Sequence, residues 1–387
     1  MHVLLVEPGY YTQYPSLGLL KISAWHKLNG DTVEFVRGTA TLRYVRRAPD
    51  RVYVTSLWSW AWEPVHAAVH MSKVCFPKAE IWLGGIYASL VPEHANTSGA
   101  DRVATGLISE VEDILPDYSL VPEWNEKRKA SIFFTHRGCV RSCEFCSVPK
   151  LEGKPFQVRQ KKSFRHLIYQ GHNRVVLWDN NILGEPNWRE VIEELKDINL
   201  PVDFNQGLDA RFLTEEVAEC FKGLNMPFVR LAYDFPGMGK AVLRAIENLS
   251  RIGVNRRRVM CYVLFNFKDS PEDLFERVRN LLDWGVVAYP MRFQPLDSLE
   301  KDRYVSPGWT VEQLEMVANA RRVIGYGGAF PPYEGLRKKF DKAKNFEDAF
   351  GLYRTKAGLR LKRTRLERNE LFAEMSEDHD WPLTVLG

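Results

Sequence analysis

The sequence predicts an α/β protein in three parts. These are an N-terminal doubly wound domain (1–124), a partial (β/α)6 barrel (130–305) and a small α-helical C-terminal extension (306–387). Three observations lead there. Short apolar runs alternate with amphipathic stretches through the first part, as in a parallel sheet covered by helices. The same strand-then-helix rhythm recurs six times in the second part. Beyond Ser306 the pattern is helical.

In the first part Val3–Val6 reads as an apolar strand closed by Pro8-Gly9, and Leu17–Leu28 as a helix ended by Asn29-Gly30. Thr32–Val36 and Val52–Thr55 read as strands, Pro64–Val74 as a helix, and Ile81–Gly85 as a strand running into a glycine turn. Trp58, Trp60 and Trp62 alternate, so on a strand they would share one face. That face would stack on a flat ligand or form a hydrophobic lid. A polar stretch at 122–129 reads as a linker. The six strands of the second part are expected at Ser131–Thr135, Arg174–Trp178, Val202–Gln206, Phe228–Tyr233, Val259–Phe265 and Val287–Phe293. Gly253 ends a helix with the stripe Ala241, Ala245, Leu249 and Ile252. Ser270-Pro271 opens another, with serine as N-cap and proline at the first helical position. Val311–Ile324 is helical in pattern and is broken by the glycines and prolines of 325–332.

At 387 residues, with 45% hydrophobic and 26% charged residues, the chain has material for two or three cores. No apolar run reaches eighteen residues, so no membrane span is expected, and the N-terminus turns polar too early for a signal peptide. Six cysteines in this length do not make a disulfide framework, and a reducing cytoplasm suits them. A net charge of +4 does not by itself argue for nucleic acid. The densest basic run, from Arg354 to Arg368, leaves nucleic acid as an alternative to a solvated helix face.

The chemistry concentrates in Thr135-His136-Arg137-Gly138-Cys139-Val140-Arg141-Ser142-Cys143-Glu144-Phe145-Cys146. Three thiolates spaced C-x3-C-x2-C wrap one inorganic centre, and with no fourth cysteine nearby a four-iron cluster would keep one open position. A Cys3His zinc site with His136 is the alternative, and with the basic run it would make a zinc-stabilised nucleic-acid-binding protein.

The cysteine spacing, the Arg-Gly pair before Cys139 and the aromatic Phe145 before Cys146 resemble the signature of the radical S-adenosylmethionine superfamily. The resemblance implies a [4Fe–4S] cluster on Cys139, Cys143 and Cys146, reductive cleavage of S-adenosylmethionine, and hydrogen abstraction from an unidentified substrate. It also implies an electron donor such as flavodoxin or ferredoxin. Leu17-Gly18 and Gly84-Gly85 resemble positions of the cobalamin-binding-type domain that precedes many such barrels. That likeness implies a corrinoid and C-methylation, with rearrangement or cyclisation as the alternative should no corrinoid bind. The first loop has Glu7-Pro8-Gly9 where a cobalt-ligating histidine motif would stand. Only Cys75 is present where radical methylthiotransferases need three cysteines, and no cysteine follows Cys261, so a single cluster is expected.

Polar residues at predicted strand ends complete the candidates. Phe145, Asp179, Asn180, Gln206 and Arg292 are candidates for S-adenosylmethionine, and Asp209, Arg230 and Tyr233 for catalysis. Arg211, Asp234 and Gln294 are further polar positions, with N-caps and salt bridges as the alternative roles.

Overall fold

The computed structural model describes residues 1–158 and 161–352. The chain divides into two compact units. The first comprises Met1–Gly207, Gly223–Asn225 and Gln294–Tyr304; the second takes the remaining described residues, from Leu208–Lys222, Met226–Phe293 and Val305 onward.

The first unit holds five parallel strands: β1 (His2–Glu7), β2 (Thr32–Arg37), β3 (Arg51–Ser56), β4 (Glu80–Gly85) and β5 (Arg102–Val103). Their order is β2-β1-β3-β4-β5. Helices α1 (Leu17–Leu28) and α2 (Trp62–Cys75) connect them, followed by the short α3 (Ile86–Leu90), α4 (Pro92–Asn96) and α5 (Pro122–Lys127). Every residue of β1 is buried because both sheet faces are covered. Val3 and Leu5 pack with Leu19 of α1 on one face, while Leu4 and Val6 pack with Val65, Ala68 and Val69 of α2 on the other. The apolar run read as a strand therefore reflects a central position.

Gly85 is required by close approach. Its φ is 103°, and a Cβ there would stand 2.1 Å from the Ser56 carbonyl oxygen of the neighbouring strand. The tryptophan segment is not a strand. Residues Ser59–Ala61 form a 3-10 turn and Trp62 opens α2, so the expected shared face does not exist. Trp58 and Trp60 instead stack on each other, with centroids 4.9 Å apart.

Three further strands lie in the first unit: β6 (Ala130–Phe133), β9 (Arg174–Leu177) and β10 (Val202–Phe204), in the order β10-β9-β6. Between β6 and β9 run a two-stranded antiparallel ribbon, β7 (His136–Arg137) with β8 (Phe156–Gln157), and the short α6 (Val148–Leu151). Helix α7 (Trp188–Ile198) links β9 to β10 and buries Val191, Ile192 and Leu195 on one side, the i, i+1, i+4 pattern of an amphipathic helix.

In the second unit α8 (Glu215–Cys220) precedes β11 (Val229–Ala232), α9 (Gly239–Arg251), β12 (Val259–Phe265), α10 (Pro271–Asp283) and β13 (Val287–Arg292), whose sheet order is β11-β12-β13. Helix α10 starts in a capping box in which Ser270 and Asp273 satisfy each other's backbone N–H. The chain then adds α11 (Val311–Val323), α12 (Glu334–Lys342) and α13 (Phe346–Phe350). Phe275 of α10 stacks on Phe340, and Phe330, Phe346 and Phe350 close the same aromatic cluster.

The α/β reading holds, and the expected partial (β/α)6 barrel is corrected. All six strands form, but they lie in two separate three-stranded sheets rather than one wall. Strand β10 pairs over three residues with β9 alone, and from Leu208 the chain belongs to the second unit. The parallel order of the five-stranded sheet is common to open α/β sheets and does not carry a cobalamin-binding-type assignment. The basic run Arg354–Arg368 lies outside the described residues.

Candidate functional site

The cysteine loop hangs from β6 and is held by carboxylates. Asp179, at the end of β9, accepts from the Thr135 backbone N–H (3.0 Å), the Thr135 hydroxyl (2.6 Å) and the His136 backbone N–H (2.8 Å). Its buried carboxylate thus fixes the chain entering the loop. Arg137 follows, bonded through Nε and Nη2 to both oxygens of Glu112 (2.8 and 3.1 Å), with its guanidinium against the Phe134 ring. Lys21 donates to the Glu112 carbonyl at 2.8 Å. Burial pulls the Lys21 ammonium down to about 8. Burial also acts on Glu112 to raise its pKa, but Lys21 and Arg137 overcome it and hold the carboxyl below its ordinary value.

Glu152, just after α6, ties three parts of the loop together. It accepts from Arg137 Nη1 (3.0 Å), from the Gly138 N–H (2.8 Å) and from Asn180 Nδ2 (2.7 Å). Gly138 has φ 78°, and a Cβ there would lie 2.4 Å from the Lys154 carbonyl oxygen. That close approach needs glycine. The Cys139 N–H reaches the Gly153 carbonyl at 3.4 Å, and the Cys146 N–H donates to the Cys143 carbonyl at 3.0 Å, closing a turn between the last two cysteines. The Arg141 N–H points to Cys139 Sγ at 3.4 Å.

The loop encloses a cavity of about 150 Å³ lined by Cys139, Arg141, Cys143, Cys146, Val148, Asn180 and Gln206. It is smaller than the roughly 300–1,000 Å³ that encloses a drug-sized ligand, so its size suits an ion or small cluster with little beside it. Asn180 gives one amide N–H to Glu152, which fixes the side chain and leaves its oxygen and second N–H for other partners. Among the described residues no three His, Cys, Asp or Glu side chains are gathered closely enough to hold a metal ion. The three thiols share the cavity without converging on one point.

Of the residues expected from the sequence, the cysteines, Asn180 and Gln206 line this cavity, and Asp179 anchors the loop behind it. Phe145 lies within the loop, half-buried. His136 does not line the cavity. Its ring is buried, with Nδ1 2.8 Å from the Thr135 hydroxyl, and this corrects the drawn Cys3His zinc site. Leu17 packs in a core at the start of α1. Gly18 has open space where a Cβ would stand, and Gly84 meets only Ala104 at van der Waals distance, so neither needs to be glycine for room. Asp209, Arg230, Tyr233 and Arg292 belong to the second unit. There Asp209 holds Arg211 in a bidentate pair, Arg230 is buried over the Phe228 ring, and Tyr233 stacks on Trp284. Asp234, pushed up to about 6 chiefly by burial, lies near Arg277, a buried guanidinium bonded to the Tyr233, Asp234 and Leu264 carbonyls and to Asp269. Arg292 ends β13. Sequence reasoning missed Arg141, Val148, Glu112, Glu152 and Lys21. Glu152 lies thirteen residues past Cys139 with no spacing signal to mark it.

No family model matches the chain, and no curated protein matches it. Similar solved structures include a galactofuranose binding protein (12% identity, covering 75% of this chain and 83% of that one, TM-score 0.20). Another is the periplasmic binding protein component of the arabinose ABC transporter from Shewanella sp. ANA-3 (13%, 75% and 80%, 0.22). A third is tagatose-6-phosphate ketose/aldose isomerase from Escherichia coli (11%, 79% and 76%, 0.22). TM-scores this low carry no argument about this chain's fold or function. The radical S-adenosylmethionine expectation is nonetheless corrected, in family, enzyme class and reaction. No family model supplies the membership, the strands do not build the expected barrel wall, and among the described residues no metal-holding group is gathered. Among the described residues no helix is long and apolar enough to cross a membrane.

Proposed function

We propose that the cysteine loop is a binding site for a thiophilic metal centre, with Cys139, Cys143 and Cys146 as the ligands. The observation that supports this is the shared cavity: three soft donors line one small space whose wall also carries the polar Asn180 and Gln206. Binding requires the thiols to turn toward a common point, while the anchored ends of the loop stay fixed on Asp179 and Glu152. Three protein ligands leave a position open on such a centre, and a bound centre there would supply a Lewis acid or an electron. Asn180, steadied by Glu152, is suited to accept a hydrogen bond from a small ligand at that position. The [4Fe–4S] cluster and S-adenosylmethionine stand as proposals of binding only, with no reaction attached. A reducing, cytoplasmic setting belongs to the same reading, because it keeps the thiols available.

Cobalt(II) titration of the reduced full-length chain tests the reading. The thiolate charge-transfer absorption should saturate at one equivalent, and should be lost in Cys139→Ala, Cys143→Ala and Cys146→Ala alike. Saturation in Cys143→Ala at the wild-type level contradicts it.

A corrinoid is carried as a second binding proposal on a separate observation. The five-stranded sheet changes direction between β1 and β3, where open α/β sheets bind ligands. The loops there carry Tyr10 and Trp58, whose rings meet edge to face. Retention of corrin absorbance after desalting from hydroxocobalamin would support it, and none retained would end it.

A further inference from the structure

The last two cysteines of the loop stand at the two ends of one turn. The Cys146 N–H donates to the Cys143 carbonyl at 3.0 Å, with Glu144 and Phe145 at the central positions. A turn closed by that bond holds its end Cα atoms within about 7 Å of each other. A disulfide spans about 4.4–6.8 Å between Cα atoms, so the backbone already brings this pair into bridging range. Both thiols are half-buried, in no disulfide, and line the same small cavity. They are therefore within reach of a small reagent. Cys139 is held differently. Its N–H is tied to the Gly153 carbonyl at 3.4 Å, and its sulfur faces the Arg141 N–H at 3.4 Å, outside the turn. The other cysteines offer no such pair. Cys75 and Cys220 each end a separate helix, α2 and α8, and Cys261 is fully buried in β12.

We infer that Cys143 and Cys146 are a dithiol–disulfide redox site, oxidised by low-molecular-weight disulfides. One thiolate attacks the small disulfide RSSR, forming a mixed disulfide and releasing RS⁻. The second thiolate displaces the other RS⁻ and closes the bridge. The two cysteines lose two electrons and two protons, and RSSR gains them as two RSH. The cavity then keeps only Cys139 as a thiol. Oxidation therefore closes the site to a metal centre, and reduction reopens it. That consequence rests on the proposed metal-binding role; the bridge itself does not.

The test incubates the reduced, metal-free full chain with glutathione disulfide in the absence of oxygen. Remaining thiols are then blocked with iodoacetamide for peptide mass spectrometry. The segment carrying Cys143 and Cys146 should be lighter by two hydrogens, with Cys139, Cys75 and Cys220 alkylated. In Cys143→Ser the glutathione should stay on Cys146, and in Cys146→Ser on Cys143, because no second thiol releases it. Cys139→Ser should form the bridge as the parent does. A parent chain that stays fully alkylated, or that carries glutathione without a bridge, overturns the inference. A bridge through Cys139, in the parent or in either variant, overturns the pairing. Cobalt(II) added to the oxidised chain should give none of the thiolate charge-transfer absorption, which should return after reduction and desalting. A bridged chain that keeps this absorption overturns the closure. A bridged chain whose reduced form also takes no cobalt leaves the redox site standing and defeats the metal reading alone. Cobalt uptake by the reduced chain with no bridge on oxidation does the reverse.

Discussion

Glu152 is the residue on which the geometry of the cysteine loop turns. One carboxylate receives a guanidinium, a backbone N–H and a side-chain amide, all in a half-buried setting. Removing it leaves the Gly138 N–H and part of Arg137 without an acceptor, while Glu112 still holds the other side of the guanidinium. Glu152→Ala should therefore cost about 1–3 kcal/mol, read by urea denaturation. A stability equal to the parent would show that these bonds add nothing beyond water. Gly138→Ala combines a left-handed backbone with a Cβ 2.4 Å from a carbonyl oxygen. It should destabilise by more than ~1 kcal/mol and loosen the β7–β8 ribbon, which quickened amide exchange at Cys139 would report. Unchanged exchange there would contradict the role given to this glycine.

His172 sets a pH dependence with a definite sign. Its ring is caged, with Nδ1 2.9 Å from the Ser131 hydroxyl and Nε2 3.1 Å from Asn125 Oδ1. Asn125 gives its amide N–H to the Tyr118 carbonyl and turns its oxygen to Nε2, so Nε2 carries the ring proton and Nδ1 accepts from the Ser131 hydroxyl. Burial pulls its pKa from 6.5 down to about 4. The unfolded chain thus binds the proton more readily than the folded one. Stability from this group is complete above pH 6.5 and is lost as pH falls toward about 4. His66, also lowered chiefly by burial and further by His94, acts in the same direction. Denaturation midpoints should fall over that window and fall less in His172→Gln. An identical slope in the variant would place the acid sensitivity elsewhere.

At the scale of elements, the capping box of α10 is the clearest case of sequence dictating structure. Ser270, Pro271 and Asp273 mark its start in the sequence, and both reciprocal bonds form. Ser270→Ala should cost about 1 kcal/mol by the same denaturation assay, and Ser270→Asp much less. Equal losses in both would mean that the cap is not the origin of the effect. The tryptophan segment is the counterexample. Alternation of Trp58, Trp60 and Trp62 has the period of a strand, but three residues are too few to outweigh the 3-10 turn and helix start that follow β3. Local periodicity was readable where an element buried one consistent face, as in α9 and α10. It misled where side chains packed on each other.

For the whole molecule, α/β class, strand positions and the cysteine loop were legible because each depends on residues close in the chain. The division of six strands into two sheets was not, since it depends on where β10 finds a partner. Nor were the supports of the loop. Lys21 and Glu112 are 91 residues apart, and Arg137 and Glu112 are 25 apart. No periodic pattern links them, and only burial of charge in the folded chain brings them together. The family resemblance rested on a dozen residues, and the sheets built by the other elements did not follow it.

The account depends most on the three thiols acting as one site. Alkylation of the reduced full-length chain with iodoacetamide, followed by peptide mass spectrometry, tests this directly with and without one equivalent of cobalt(II). Cys139, Cys143 and Cys146 should be protected together by the metal, while Cys75 and Cys220 react at unchanged rates. Protection of one or two of the three, or reaction of all three at metal-free rates, would contradict a shared centre.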